Sequence, residues 1–230
     1  MPSLTVENYC KAIYQLGVGG DEPWITTGQV AEQLQLAPGT VTSMLKTLAE
    51  SGLAEYRPYE GVRLTRSGRL LALRMLRRHR LLELFLVETL GLTWDEVHDE
   101  AEHMEHAVSD ALADRIDEYL GRPDRDPHGD PIPRSDGTLR GQNQRGSPLC
   151  DCLPGRRVRI VRVLQQGAEF LRYLAESGVS IGAEAVVEDN NEQSGVVTLN
   201  LAGRSLSIGR PAASQVMIEP VPAPGGADSG

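Results

Sequence analysis

A chain of 230 residues that is 40% hydrophobic and 24% charged is long enough to bury a core and too apolar to remain disordered. It lacks both the roughly 18-residue apolar run of a membrane span and a basic-then-apolar leader within Met1 to Gly20, and three cysteines (Cys10, Cys150, Cys152) make no disulfide framework, so a cytoplasmic protein with no membrane partner is expected. The net charge of −9 argues against a nucleic-acid partner only as an average: residues 1–80 hold 10 Lys or Arg against 7 Asp or Glu, whereas residues 81–130 hold 3 against 15.

Apolar Val6, Tyr9, Ile13 and Leu16 at helical spacing predict a first helix that ends in the Gly17 to Pro23 turn region. Thr26 and Gln29 form a capping-box pattern ahead of Val30, Ala31 and Leu34, and a third helix is expected over Thr40 to Glu50 with Gly52 as its stop. Two short helices across a tight break are a helix-turn-helix signature. Leu53 to Arg57 and Val62 to Thr65 read as strands around the turn residues Pro58 to Gly61, which makes the module a winged helix. Thr65 can cap a long helix through Leu90, and a further helix is expected over Asp95 to Leu120. Six Pro and six Gly between Gly121 and Gly155 read as a linker. Beyond it come an alternating strand at Arg157 to Leu164, a helix near Glu169 to Glu176 and short strand-like runs over Ile181 to Ile218, economically a small SH3-like barrel. The expected class is mainly α with a small β domain. Its parts are a winged helix-turn-helix domain (1–72), a helical middle domain (73–140), a linker (141–155), a C-terminal SH3-like barrel (156–220) and a disordered tail (221–230).

The most informative run is His98 to His106. On a continuous helix at about 100° per residue, His98, Glu102, Glu105 and His106 project from one stripe, and the preceding helix stacks His79 on Glu83 four residues apart. Such a pair of helices can converge on one or two divalent cations. Carboxylate and imidazole without thiolate favour Mn²⁺ or Fe²⁺, with Zn²⁺ able to substitute. A solvated acidic helix is the plain alternative. An enzyme is another, because Glu102 to His106 lacks only the first ligand of the inverted zinc-protease pattern.

The third helix opens with small hydroxyl side chains. Thr40, Thr42 and Ser43 are candidates for base edges or phosphates, Lys46 for phosphate, and Arg57 and Arg63 on the wing for the DNA backbone. A helix-turn-helix can also serve as a protein docking module, and a winged helix can sense a small organic ligand.

In order and spacing the chain resembles the diphtheria toxin repressor and manganese transport regulator family, from about Thr5 to Pro133 and more weakly through the barrel. The resemblance rests on Arg78-His79-Arg80-Leu81-Leu82-Glu83, on Val97 to Glu102 followed by Glu105-His106, and on Gly129-Asp130-Pro131-Ile132-Pro133. It implies that 1–72 is a DNA-binding domain and 73–140 a helical metal-binding and dimerisation domain, in a homodimer that binds a palindromic operator when metal is loaded and represses metal uptake genes, with Mn²⁺ or Fe²⁺ as the metal. A primary site of Asn8, Glu102, Glu105 and His106 is implied, with Asn8 where the family places Met or Asp, and Glu102 is the manganese-type choice at its position. The second site implied is His79, Glu83 and His98, completed by Gln166 and Glu169. Lys11 stands where manganese-type members carry an acid, which points to two separate sites rather than one two-metal cluster.

Overall fold

The computed structural model describes residues 3–18, 24–139 and 146–222. Most of the turn expected at Gly17 to Pro23, the start of the expected linker and most of the expected tail lie outside the described residues.

The first helix, α1 (Leu4–Gly17), begins at Ser3, whose hydroxyl accepts from the Val6 amide. In α2 (Thr27–Leu34) both arms of the capping box form: Thr26 Oγ1 accepts from the Gln29 amide, and Gln29 Oε1 accepts from the Thr26 amide. The third helix, α3 (Pro38–Glu50), starts two residues earlier than expected because Pro38 suits the first turn, where its missing N–H leaves no bond unmade. Strands β1 (Ala54–Arg57) and β2 (Gly61–Leu64) pair antiparallel as the wing, with Arg57 opposite Gly61, and Ile25 bridges to Val62. At Gly61, φ is +132°, and a Cβ there would run into the Ile25 carbonyl, so glycine alone lets the wing root close on this bridge. Tyr9, Ile13, Val30, Leu45, Leu48 and Val62 are buried together beneath these elements. Each contributes about 1.5–3 kcal/mol through removal of apolar surface from water.

Thr65 accepts from the Gly68 amide at 3.2 Å and so caps α4 (Arg66–Phe85), which passes into a π-helical turn at Leu86–Leu90 that Gly91 ends. The helix expected over Asp95 to Leu120 is two helices, α5 (Val97–Met104) and α6 (Asp110–Tyr119). The break has an identifiable cause. Ser109 Oγ accepts from the Leu112 amide at 3.2 Å, and Asp110 accepts from Arg74 and, at 2.7 Å, from Arg78, so a new helix starts where the old one would have continued. Glu105 and His106 therefore lie in the turn after α5 and not on its face, which corrects the single-stripe expectation.

The Pro- and Gly-rich stretch from Gly121 is likewise more ordered than a linker. Asp126 Oδ1 accepts from the His128 and Asp130 amides, each at 2.9 Å, and Ile132 is fully buried. In the segment expected as the 141–155 linker, Ser147–Pro148 forms β3, and Leu149 is buried in the core of the β domain. That domain continues with β4 (Arg157–Val163), α7 (Ala168–Glu176), β5 (Glu184–Asn191), β6 (Val196–Leu201), β7 (Arg204–Gly209), α8 (Arg210–Ala213) and β8 (Val216–Pro220). The sheet is antiparallel throughout in the order β3-β8-β4-β5-β6-β7, with Val158, Ile160, Val187, Leu199 and Ile218 turned into its core. Contacts divide the chain into two compact units. One comprises Met1–His79, His103–Arg115 and Pro133–Thr138, and the other Arg80–Glu102, Ile116–Ile132 and Leu139–Gly230. Among the described residues, no helix is long and apolar enough to cross a membrane.

Candidate metal centre

In the first unit, one face of α1 meets the turn after α5. Lys11 Nζ donates to both carboxylate oxygens of Glu105, at 2.9 and 3.1 Å, and lies 3.3 Å from His79 Nδ1. The His79 ring nitrogen is itself 2.8 Å from Glu105 Oε2. Beside them, His106 Nδ1 lies 2.9 Å from Glu7 Oε2, and its Nε2 is 3.5 Å from Glu105 Oε1. Glu105 is fully buried. Burial alone would raise its carboxyl, but the hydrogen bond from His79 and the Lys11 ammonium outweigh burial and hold it below the usual range. Asn8 Oδ1 is buried with no hydrogen-bond partner among the described residues, a neutral oxygen donor left unused by the protein. Glu7 was not among the sequence candidates. Its partnership with His106 has the form of a carboxylate orienting a ligand imidazole.

The thiol of Cys10 is fully buried, and burial together with the charge of Glu7 pushes it up to about 12, so it supplies no thiolate. Glu102 is half-buried on α5, three residues ahead of Glu105 in the chain.

The second unit holds another cluster. Glu83 lies 3.3 Å from His98 Nδ1 through Oε1 and 3.6 Å from His128 Nδ1 through Oε2. Glu83, Asp126 and His128 are all buried, and each turns one donor atom to within 4.8 Å of the others. His128 Nε2 is 2.7 Å from the Trp94 carbonyl oxygen and its ring stacks on the Trp94 indole, which fixes the ring's plane. Its Nδ1 has no hydrogen-bond partner among the described residues. Burial would lower this imidazole, but Glu83 and Asp126 outweigh it and lift it to about 9. Burial raises Asp126 to about 7, and the neighbouring Asp130 and Glu83 charges act in the same direction. Gly129, at φ +85°, takes the loop so close to the Val161 carbonyl that a side chain would collide, and this seats His128 and Asp130 against β4.

The sequence expectation grouped His79 with Glu83, His98, Gln166 and Glu169. In the structure His79 stays four residues ahead of Glu83 on α4 while its Nδ1 also faces Glu105, and Gln166 Nε2 donates to Asp130 Oδ2 at 3.0 Å. Asp130 also accepts from Arg80 at 3.2 Å and from Arg162, so its carboxylate is already neutralised within the protein. Glu169 is exposed in the first turn of α7. Beside Glu83 the structure also brings Asp126 and His128, which the sequence expectation does not include. A signal for them existed, since His128 is the fifth histidine and sits two residues from an aspartate, but the surrounding Pro and Gly masked it as linker.

On the reading module, Thr40, Ser43 and Lys46 are exposed on α3 and Thr42 is half-buried. Thr42 Oγ1 and Ser43 Oγ donate to the Pro38 and Gly39 carbonyls, at 2.9 and 3.1 Å, leaving their lone pairs outward. Arg57 and Arg63 both lie over the Trp24 ring, at 4.6 and 5.0 Å from its centre, while pairing with Glu60 and Glu55. Trp24 was not anticipated; it steadies both wing arginines. A groove of 490 Å³ between α3 and the wing is lined by Thr26, Thr27, Thr42, Lys46, Tyr59 and Gly61, among others.

A winged helix that exposes Thr40, Ser43 and Lys46 on its third helix, carried in one chain with buried carboxylate–imidazole clusters, defines the class of metal-responsive DNA-binding regulators. The N-terminal DNA-binding domain of the iron-dependent repressors matches residues 1–62, their metal-binding and dimerisation domain residues 65–134, and the FeoA domain residues 147–220. The diphtheria toxin repressor of Corynebacterium glutamicum is 33% identical over 225 residues, covering 94% of this chain and 96% of that protein. The iron-dependent repressor IdeR of Mycobacterium tuberculosis is 36% identical over 129 residues, 56% of this chain and 55% of its own. A solved manganese-dependent transcriptional repressor in complex with manganese is 39% identical, with a TM-score of 0.85 over 94% of this chain and 100% of that one. The chain belongs to the diphtheria toxin repressor and manganese transport regulator family of metal-dependent transcriptional repressors. It is accordingly a DNA-binding regulator with a dimerisation domain, and not an enzyme.

Proposed function

We propose that this protein is a manganese-responsive repressor, with Fe²⁺ as the second choice of metal, acting as a homodimer on a palindromic operator of metal uptake genes in the cytoplasm. The observation that carries the reading is the double junction of α1 with the turn after α5, Lys11 to Glu105 and Glu7 to His106, where ligand-type side chains meet the helix that builds the reading module. Asn8, Glu105 and His106, with Glu102 from the same run of sequence, would hold the activating cation. When bound, it supplies a positive charge and a coordinate link between these segments.

The chain's own residues transmit that link. Tyr9 and Ile13 of α1 are packed with Val30, Leu45 and Leu48, so the position of α1 governs the placement of α3 and its Thr40, Thr42, Ser43 and Lys46. With a cation held there, α1 would be fixed where the two recognition helices of the dimer match successive major grooves, about 34–36 Å apart. Oxygen and imidazole donors with no available thiolate favour Mn²⁺ over softer ions, and the manganese-bound relative supports the same choice. Zn²⁺ is expected to substitute in vitro. We assign a second cation to Glu83, His98, Asp126 and His128 in place of Gln166 and Glu169.

The test is capture of sheared genomic DNA by chelator-treated protein at fixed salt, with and without Mn²⁺, reduced Fe²⁺ or Zn²⁺. Metal-dependent enrichment of a few fragments, strongest with Mn²⁺, is the expected result. Equal capture with chelator and with metal would move the reading to a winged-helix sensor of an organic ligand.

A further inference from the structure

We propose that Lys11 is a built-in counter-cation that competes with the activating metal for Glu105 and so sets the metal concentration at which the protein responds; the proposal rests on the metal reading of Glu105 given above. Lys11 is only 6% exposed and Glu105 is fully buried, yet the ammonium reaches both carboxylate oxygens at 2.9 and 3.1 Å. A buried carboxylate without a cation is strongly unfavourable, and Lys11 meets that need from within the chain. It does so at the very atoms a metal requires, for an ionised carboxylate offers about four lone-pair positions and the ammonium already engages both oxygens.

The geometry of α1 makes the competition direct. Glu7, Asn8 and Lys11 fall on one face at spacings of three and four residues, so the neutral donor of Asn8 and the positive charge of Lys11 serve the same turn. Two effects then act in the same direction. A divalent ion at Glu105 is repelled by the ammonium in a poorly screened interior, and the metal-free state is stabilised by the ion pair that metal binding must loosen. A lysine is suited to this role because its flexible four-carbon stem lets the charge withdraw while the backbone of α1 stays in place.

The experiment uses the full-length, chelator-treated protein and its Lys11→Met, Lys11→Gln, Lys11→Arg and Glu105→Gln variants. Mn²⁺ affinity is read by competition with a metallochromic indicator, and thermal unfolding is followed with and without Mn²⁺. Removing the charge is expected to tighten Mn²⁺ binding about ten- to a hundredfold. It should also lower the metal-free Tm and leave the metal-saturated Tm close to that of the unaltered protein. Lys11→Arg, which keeps the charge, should bind much as the parent does. Lys11→Gln keeps the test open if the Met variant does not fold. Unchanged or weaker Mn²⁺ binding in both neutral variants, with Glu105→Gln removing one equivalent of bound Mn²⁺, would overturn the proposal and leave Lys11 as a support for Glu105. A Mn²⁺ stoichiometry that Glu105→Gln leaves unreduced would overturn the metal reading of Glu105 itself, and the proposal with it.

Discussion

Around Glu105, the positive charge that balances a buried carboxylate comes from the side chain of Lys11 on α1; around Glu83, it comes from the imidazole of His128, whose basicity Glu83 and Asp126 raise to about 9. The ammonium is a fixed charge that must move aside for a metal. The imidazole has only to lose a proton, after which the same nitrogen becomes a ligand. The backbone differs in parallel, since Glu105 and His106 sit in a break between two helices whereas Asp126 and His128 sit in a loop that Asp126 ties to its own backbone. Of the two clusters, the one around Glu105 includes residues of the helix that builds the reading module, so it is the one expected to govern DNA binding.

The largest effect should separate the two on that ground. Glu105→Gln or His106→Asn should abolish Mn²⁺-stimulated operator binding while circular dichroism stays unchanged. Glu83→Gln or His128→Asn should raise the metal needed for half-maximal binding by about tenfold, as loss of a supporting shell commonly does. Equal losses from both pairs, measured by fluorescence anisotropy on a labelled operator, would break the comparison, because both clusters would then be activating.

That contrast was only half legible in the sequence. The capping box at Thr26, the glycine stop after α3 and the alternating strands announced the winged helix, because those signals act over three or four residues. Glu105 and His106 are legible as ligand types, but their geometry is not: helical periodicity runs straight through position 105, and the break depends on Arg74 and Arg78, which reach Asp110 from more than thirty residues away. Lys11 as the partner of Glu105 and His128 as the partner of Glu83 are likewise long-range pairings, which no local pattern announces.

An intermediate effect concerns pH. His128 is raised from 6.5 to about 9, so the folded state holds its proton more tightly than the unfolded chain does, and the stabilisation is complete below 6.5 and lost as pH rises through about 9. Asp126, raised from 3.8 to about 7, has the same sign at lower pH, its protonated form being the one the fold prefers. The metal-free Tm should therefore decline as pH rises from 6 to 9.5, and His128→Asn should flatten the upper part of that decline. Lys11→Met should leave the slope of this decline unchanged even as it lowers the curve. A pH profile altered by Lys11→Met and untouched by His128→Asn would reverse the roles given to the two cations.

The smallest effect concerns the backbone that carries the first cluster. Ser109 caps α6 through the Leu112 amide, two residues after the turn that presents Glu105 and His106 ends. Ser109→Ala should cost about 1 kcal/mol, a fall in Tm of about 2–4 °C for a chain of this length. The break itself should survive, since Asp110 still receives Arg74 and Arg78, and Mn²⁺ affinity should therefore change by less than about threefold. Indicator titration of the variant decides the point. A loss of affinity beyond tenfold would mean that the cap, and not the arginine pair, holds the turn in which Glu105 meets Lys11.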